Sequence, residues 1–143
     1  MKRIVIDETI CSGCRACEIA CVVQKEGQFG TALARIRIEK NDVDGLDQPH
    51  VCQTCKGLPC VKSCPTGALQ WDEVIGRVIL IPEECIHCDL CVEVCPFEAI
   101  WIHPGNKLPL LCDLCDGDPA CVKRCATGAI IFVDKSCSTF KAR

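Results

Sequence analysis

Seventeen of the 143 residues are cysteines, and sixteen of these form four groups of four. The spacings, in chain order, are C-x2-C-x2-C-x3-C, C-x2-C-x4-C-x3-C, C-x2-C-x2-C-x3-C and C-x2-C-x5-C-x3-C. Thiolate is a soft ligand, so a pattern repeated four times indicates metal binding. The groups are Cys11, Cys14, Cys17 and Cys21 (group one); Cys52, Cys55, Cys60 and Cys64 (group two); Cys85, Cys88, Cys91 and Cys95 (group three); and Cys112, Cys115, Cys121 and Cys125 (group four).

Groups one and three match the bacterial [4Fe–4S] run C-x2-C-x2-C-x3-C, and Pro96 follows group three as it does in that run. A tight loop offers three thiolates to one cube. The fourth cysteine lies one helical turn further on and faces a neighbouring cluster, so the groups must work in pairs. By this logic the sequence predicts about four [4Fe–4S] clusters and about sixteen irons, held by the sixteen cysteines as iron ligands.

Two other uses of the cysteines fit less well. A disulfide framework would not need the same x3 tail four times, and residues 1–8 do not resemble a secretory signal, which favours a reducing cytoplasmic location. Export as the passenger of a signal-bearing partner stays open. Zinc sites prefer separated C-x2-C pairs or histidine partners, and the chain has only 3 His.

Composition excludes several functions. The net charge is −3, which argues against a nucleic-acid partner. The sequence contains no run of 18 apolar residues, so it predicts no membrane-spanning helix. The sequence contains no phosphate loop, dinucleotide motif or Ser/His/Asp set, so we expect no catalytic residues and no enzyme activity of the chain alone. Aromatic residues make up only 4%, so we expect clusters rather than large side chains to dominate the core.

Short apolar runs predict strands at 4–6, 34–39, 68–71, 77–81, 99–103 and 129–133, and a helix at 18–25. Hairpin connections are expected at 72–76 and 104–107, and residues 41–50 read as a loop that links group one to group two. This pattern predicts an α+β fold of two ferredoxin-like [4Fe–4S] units with short strands and short helices.

Residues 50–68, His-Val-Cys-Gln-Thr-Cys-Lys-Gly-Leu-Pro-Cys-Val-Lys-Ser-Cys-Pro-Thr-Gly-Ala, resemble the second cysteine group of a known family. This is the family of four-cluster iron–sulfur electron-transfer subunits. It includes the beta subunits of dimethyl sulfoxide reductase and formate dehydrogenase, and the small polyferredoxin subunits of hydrogenase, carbon monoxide dehydrogenase and tungsten aldehyde oxidoreductase complexes. The resemblance extends from residue 4 to about residue 133 and carries all four groups in the family's order.

The resemblance implies that group one pairs with group four and group two with group three, whereas the spacing alone leaves pairing in chain order open. One unit would then comprise residues 1–40 plus 104–143, and the other residues 41–103. The implied ligand sets are Cys11, Cys14, Cys17 and Cys125 (set A); Cys112, Cys115, Cys121 and Cys21 (set B); Cys52, Cys55, Cys60 and Cys95 (set C); and Cys85, Cys88, Cys91 and Cys64 (set D).

The resemblance also implies a function. The chain would be an electron-transfer subunit that relays single electrons between a catalytic subunit and another redox partner, such as a flavin subunit or a soluble ferredoxin. The catalytic subunit would carry a tungsten or molybdenum pterin, with the aldehyde oxidoreductase class favoured. A hydrogenase or carbon monoxide dehydrogenase partner, or a free soluble polyferredoxin, remains the alternative. Cys137 is expected to be a spare thiol, and His87 to be no iron ligand.

Overall fold

The computed structural model describes residues 2–134, without the side chains of Lys2 and Asp134. Its elements are short, as the sequence predicts. They are β1 (Lys2–Ile6), η1 (Glu8–Ile10), α1 (Ala16–Glu26), β2 (Ile36–Asn41), β3 (Leu46–Val51), α2 (Pro59–Lys62), β4 (Leu69–Asp72), β5 (Arg77–Leu80), η2 (Pro82–Glu84), α3 (Leu90–Glu93), β6 (Trp101–Ile102), β7 (Pro109–Leu110), η3 (Leu114–Gly117), α4 (Ala120–Arg124) and β8 (Ile130–Asp134).

Within the described residues the strands form four separate two-stranded antiparallel sheets. Strand β1 pairs with β8, so Ile4 lies opposite Phe132 and the two ends of the described chain meet. The other three sheets are hairpins, β2–β3, β4–β5 and β6–β7. The predicted strand at 99–103 shortens to Trp101–Ile102, and the helix at 18–25 is present as the longer α1.

The prediction that residues 41–50 form a linker was wrong. Residues 46–51 form β3, which pairs in register with β2 and places Ile36 opposite Val51, both buried. The polar residues misled the prediction because they belong to the turn, where the Asn41 side chain accepts the N–H groups of Val43 and Asp44. Pro49 within β3 is tolerated because the strand has only one partner.

The core is small and contains cysteines as well as aliphatic side chains. Ile4, Val22, Ile36 and Val51 are at most 1% exposed, and Cys17, Cys21 and Cys121 belong to the same buried cluster. Helix α1 packs against α4, and α2 packs against α3. The helical tails of groups one and four therefore lie together, and so do those of groups two and three.

None of the helices in residues 2–134 has the length and apolar character needed to cross a membrane.

Replacing Ile36 with Ala should destabilise the folded chain by about 2–5 kcal/mol, because a side chain that is 1% exposed leaves a cavity in the small core. Denaturant unfolding of the cluster-loaded protein measures this change. Val74→Ala is the matched control, since Val74 is 97% exposed and its truncation should cost little. Equal midpoints for the two variants would contradict this description of the core.

Candidate iron–sulfur centres

The four cysteine loops share one backbone feature. The residue that precedes the second cysteine of each group lies in the left-handed region, with φ of 61° at Gly13, 47° at Thr54, 55° at His87 and 57° at Leu114. Residues other than glycine rarely adopt this conformation, and such strain concentrates at functional sites. The turn brings loop amides towards sulfur: the amide of Gly13 opposes the rise that burial causes in the pKa of Cys11, and the amide of Leu114 does the same for Cys112.

The fourth cysteines of the groups lie outside these loops. Cys21 is buried in α1, and the amide N–H of Arg35 donates to its Sγ at 3.3 Å. Cys95 follows α3, and the amide N–H of Ala99 donates to its Sγ at 3.4 Å. Backbone donors that reach sulfur from both the loops and the tails favour the charged thiolate form.

Cysteines from different groups line common cavities. One cavity is bordered by Cys85, Cys88 and Cys91 of group three together with Cys64 of group two. A second is bordered by Cys52, Cys55 and Cys60 of group two together with Cys95 of group three. The first three thiols of group three thus meet the fourth thiol of group two, and the first three thiols of group two meet the fourth thiol of group three.

A third cavity repeats this arrangement between groups four and one. It is bordered by Cys112, Cys115 and Cys121 of group four together with Cys21 of group one. Cys112 also borders the cavity of Cys52, Cys55, Cys60 and Cys95. One thiol therefore lies between two cysteine cavities.

Electrostatic interactions relate the remaining four cysteines of groups one and four. The pKa of the Cys11 thiol is raised mainly by burial, and the carboxylate of Asp47 and the nearby thiols of Cys125 and Cys14 raise it further. Burial raises the pKa of Cys17 to about 12, the carboxylate of Glu18 raises it further, and the thiols of Cys121 and Cys11 contribute smaller increases. Cys11, Cys14, Cys17 and Cys125 are therefore neighbours, and Cys17 also lies near the thiol of Cys121.

The donor chemistry fits iron–sulfur clusters. The three cavities present soft sulfur ligands in fours with apolar surroundings, which suits iron–sulfur and not hard cations. Burial raises the pKa of Cys121 to about 12, and those of Cys60 and Cys91 to about 11. Free thiols at these positions would be protonated at neutral pH, so thiolate formation needs a positive partner such as iron.

Two threonines beside candidate ligands were missed by the sequence analysis. The Thr66 hydroxyl lies 3.7 Å from Cys64 Sγ, and the Thr127 hydroxyl lies 3.6 Å from Cys125 Sγ. Although partial burial opposes it, hydrogen bonds from these hydroxyls and from following backbone amides lower the pKa of both thiols. The repeated sequence C-x-T-G after the fourth cysteine of groups two and four was the available signal.

His87 is exposed, and its Nδ1 donates to the carbonyl oxygen of Lys107 at 3.0 Å. That His87 does not bind iron stays a prediction. The spare-thiol role of Cys137 also stays a prediction, because Cys137 lies outside the described residues.

Retention of iron should increase with pH, because protons and iron compete for the same thiolates and the raised pKa values of Cys17, Cys60, Cys91 and Cys121 extend that competition to alkaline pH. The measurement is the iron that the loaded protein keeps against a chelator from about pH 6 to about pH 9. A protein-free titration of the chelator corrects for its own protonation. Iron retention that does not change with pH would contradict the expected competition.

Comparison with known proteins places this arrangement in a family. Residues 43–135 match the model of the 4Fe–4S dicluster domain. The chain is 42% identical to the aliphatic sulfonate oxidoreductase, polyferredoxin-like subunit, of Pyrococcus furiosus, over 85% of this chain and 70% of that protein. It is 34% identical to the electron transport protein HydN of Escherichia coli K12, over 95% of this chain and 90% of that protein.

Among solved structures, the fold is similar to a chain of the active site complex BamBC of benzoyl coenzyme A reductase, with a TM-score of 0.57 and 27% identity over 93% of this chain and 78% of that one. The matched family binds 4Fe–4S clusters by its description, and this is the cofactor that the cysteine spacing predicts. The chain belongs to the family of 4Fe–4S dicluster domains and is an iron–sulfur protein.

Proposed function

We propose that the chain is an electron-transfer subunit of an oxidoreductase complex, carries four [4Fe–4S] clusters and has no catalytic activity alone. When bound, such clusters supply one-electron transfer and, with four cysteine ligands each, offer no open iron position for group chemistry. The names of two relatives support this function, because one is the polyferredoxin-like subunit of an oxidoreductase and the other an electron transport protein.

The proposed ligand sets are A to D as defined above, with two ferredoxin-like units formed by residues 1–40 plus 104–143 and by residues 41–103. The observation that carries this proposal is the meeting of thiols from paired groups in three cavities, each bordered by the four cysteines of one set. Pairing in chain order would instead bring group one to group two. The β2–β3 hairpin crosses the proposed boundary at residue 40 and joins the units covalently.

The same contacts support the linear order A, B, C, D. Set A adjoins set B because the thiols of Cys17 and Cys121 interact. Set B adjoins set C because Cys112 borders both cavities and its thiol interacts with that of Cys52. Set C adjoins set D because α2 packs against α3. Cys14 of set A and Cys88 of set D are exposed, so both ends of this series reach the surface where redox partners dock.

The thiols and loop amides of the chain position the clusters and limit the access of water to them. Burial of Cys17, Cys21 and Cys121 keeps the inner ligands away from solvent, which sustains thiolate–iron bonds against protonation. We place the catalytic partner in the class with a tungsten or molybdenum pterin, and we place the complex in the cytoplasm. A flavin subunit or a soluble ferredoxin would be the second redox partner.

Native purification tests this function. The chain should co-purify in a fixed ratio with a larger catalytic subunit at high salt, and metal analysis of that complex should find tungsten or molybdenum besides iron. Salt weakens purely electrostatic encounters, so a subunit interface should survive where a transient one does not. Recovery of the chain alone would contradict the subunit role and favour a free polyferredoxin. Nickel in the large partner would instead indicate a hydrogenase or a carbon monoxide dehydrogenase.

The ligand sets predict different effects for two cysteines on one helix. Cys17→Ser should perturb the cluster of set A, whereas Cys21→Ser should perturb that of set B and leave set A largely intact. The measurements are iron content, about sixteen per unaltered chain by the ligand count, and the EPR spectrum of each reduced variant. Loss of the same EPR signal in both variants, or fewer than about twelve irons in the unaltered protein, would contradict the proposed sets.

A further inference from the structure

Group one differs from the other three groups at one position of its loop. The residue before the second cysteine is Gly13, whereas the equivalent positions hold Thr54, His87 and Leu114, all with a similar left-handed backbone. Backbone conformation therefore does not require glycine here, since three other side chains adopt the same φ. Another cause must explain the missing side chain.

The space that a side chain at Gly13 would fill contains the carboxylate of Asp47. A Cβ atom built on Gly13 would lie 2.2 Å from Asp47 Oδ2 and 2.9 Å from Oδ1, closer than real contacts allow. Asp47 belongs to β3, and the hairpin brings it from outside the loop onto buried Gly13. The carboxylate thus takes the place that the loop's own side chain occupies in the other groups.

This carboxylate has no ion-pair partner among the side chains that the structure describes. Lys40 is its neighbour across the hairpin, but no Lys, Arg or His of the described part of the chain comes within 4.0 Å of it. Arg15 lies in the same loop and is exposed, so water screens its charge. By contrast, Lys25 and Arg35 beside Cys21 are paired with Asp113 and Glu26. The charge of the half-buried Asp47 is therefore not cancelled by an ion pair of the described residues.

We propose that the Asp47 carboxylate, seated on Gly13, lowers the reduction potential of the cluster held by set A. This inference rests on the ligand sets of the proposed function. Reduction adds one electron, supplied by the redox partner or by a chemical reductant. It forms and breaks no bond and takes the charge of cluster plus thiolates from about −2 to about −3. A fixed negative charge beside the ligands disfavours the more negative state.

The consequence concerns one end of the proposed series. With clusters bound, the charge of Asp47 would disfavour an electron on set A relative to one on set B. Set A is then suited to accept electrons from a strong reductant and to pass them inward. At the opposite end, Asp89 and Lys107 both border the cavity of set D, so their charges oppose each other there.

Potentiometric titration of the cluster-loaded full chain, followed by EPR, tests the proposal. Asp47→Asn keeps the shape of the side chain and removes its charge, so the potential of one cluster should rise while the others stay near their original values. That cluster should be the one whose signal changes in Cys17→Ser. Asp47→Glu retains the charge and should restore the original potential. Asp42→Asn is the matched control, because Asp42 lies in the exposed turn of the same hairpin.

Unchanged potentials in fully loaded Asp47→Asn would overturn the proposal, as would an equal shift in Asp42→Asn. If Asp47→Asn does not assemble its clusters, Asp47→Ser removes the same charge with a smaller side chain. Failure of both to assemble would show that the carboxylate supports assembly rather than tuning the potential, which also contradicts the proposal. Failure of the proposed ligand sets is separate, since it would appear in the iron content and the cysteine variants.

Discussion

The structure depends on the convergence of thiols from distant parts of the chain. In each of three cavities, the first three cysteines of one group meet the fourth cysteine of another group. Aromatic residues are few, and residues 2–134 form four separate two-stranded sheets with a small aliphatic core, so few other contacts join the segments. Metal bonds that join such segments contribute folding free energy directly, because the unfolded chain has no preformed site.

Backbone strain in the loops follows from the same requirement. Amides must turn inward towards sulfur, and this places residues such as Thr54 and His87 in a left-handed conformation that costs free energy. The cost is offset where the loop amides bind thiolates. Gly13 is free of that strain, and the structure uses its missing side chain to admit a carboxylate from a neighbouring hairpin.

Burial and charge act in opposite directions at these sites. Burial raises the pKa of Cys17 and Cys121 to about 12, which favours the neutral thiol, whereas hydrogen bonds lower the pKa of Cys64 and Cys125. The buried thiols therefore need a positive partner such as iron to become thiolates, whereas hydrogen bonds already favour the thiolate form of the half-buried Cys64 and Cys125. Cys112 borders two cavities, one shared with Cys115, Cys121 and Cys21 and the other with Cys52, Cys55, Cys60 and Cys95.

The sequence by itself determined the type of ligand, the type of cofactor and most of the short strands, because cysteine spacing and residue alternation are local properties. It failed at residues 46–51, where a polar strand is stabilised by its partner β2 and its own composition resembles a loop. Cysteine spacing could not decide which groups meet, since it indicates that the fourth thiol faces another cluster without saying which one. The family resemblance implied one pairing, and the meeting itself depends on how distant segments pack in the tertiary structure. Only the tertiary structure decided that Asp47 lies on Gly13, because that contact joins residues whose proximity depends on how the hairpin packs on the loop.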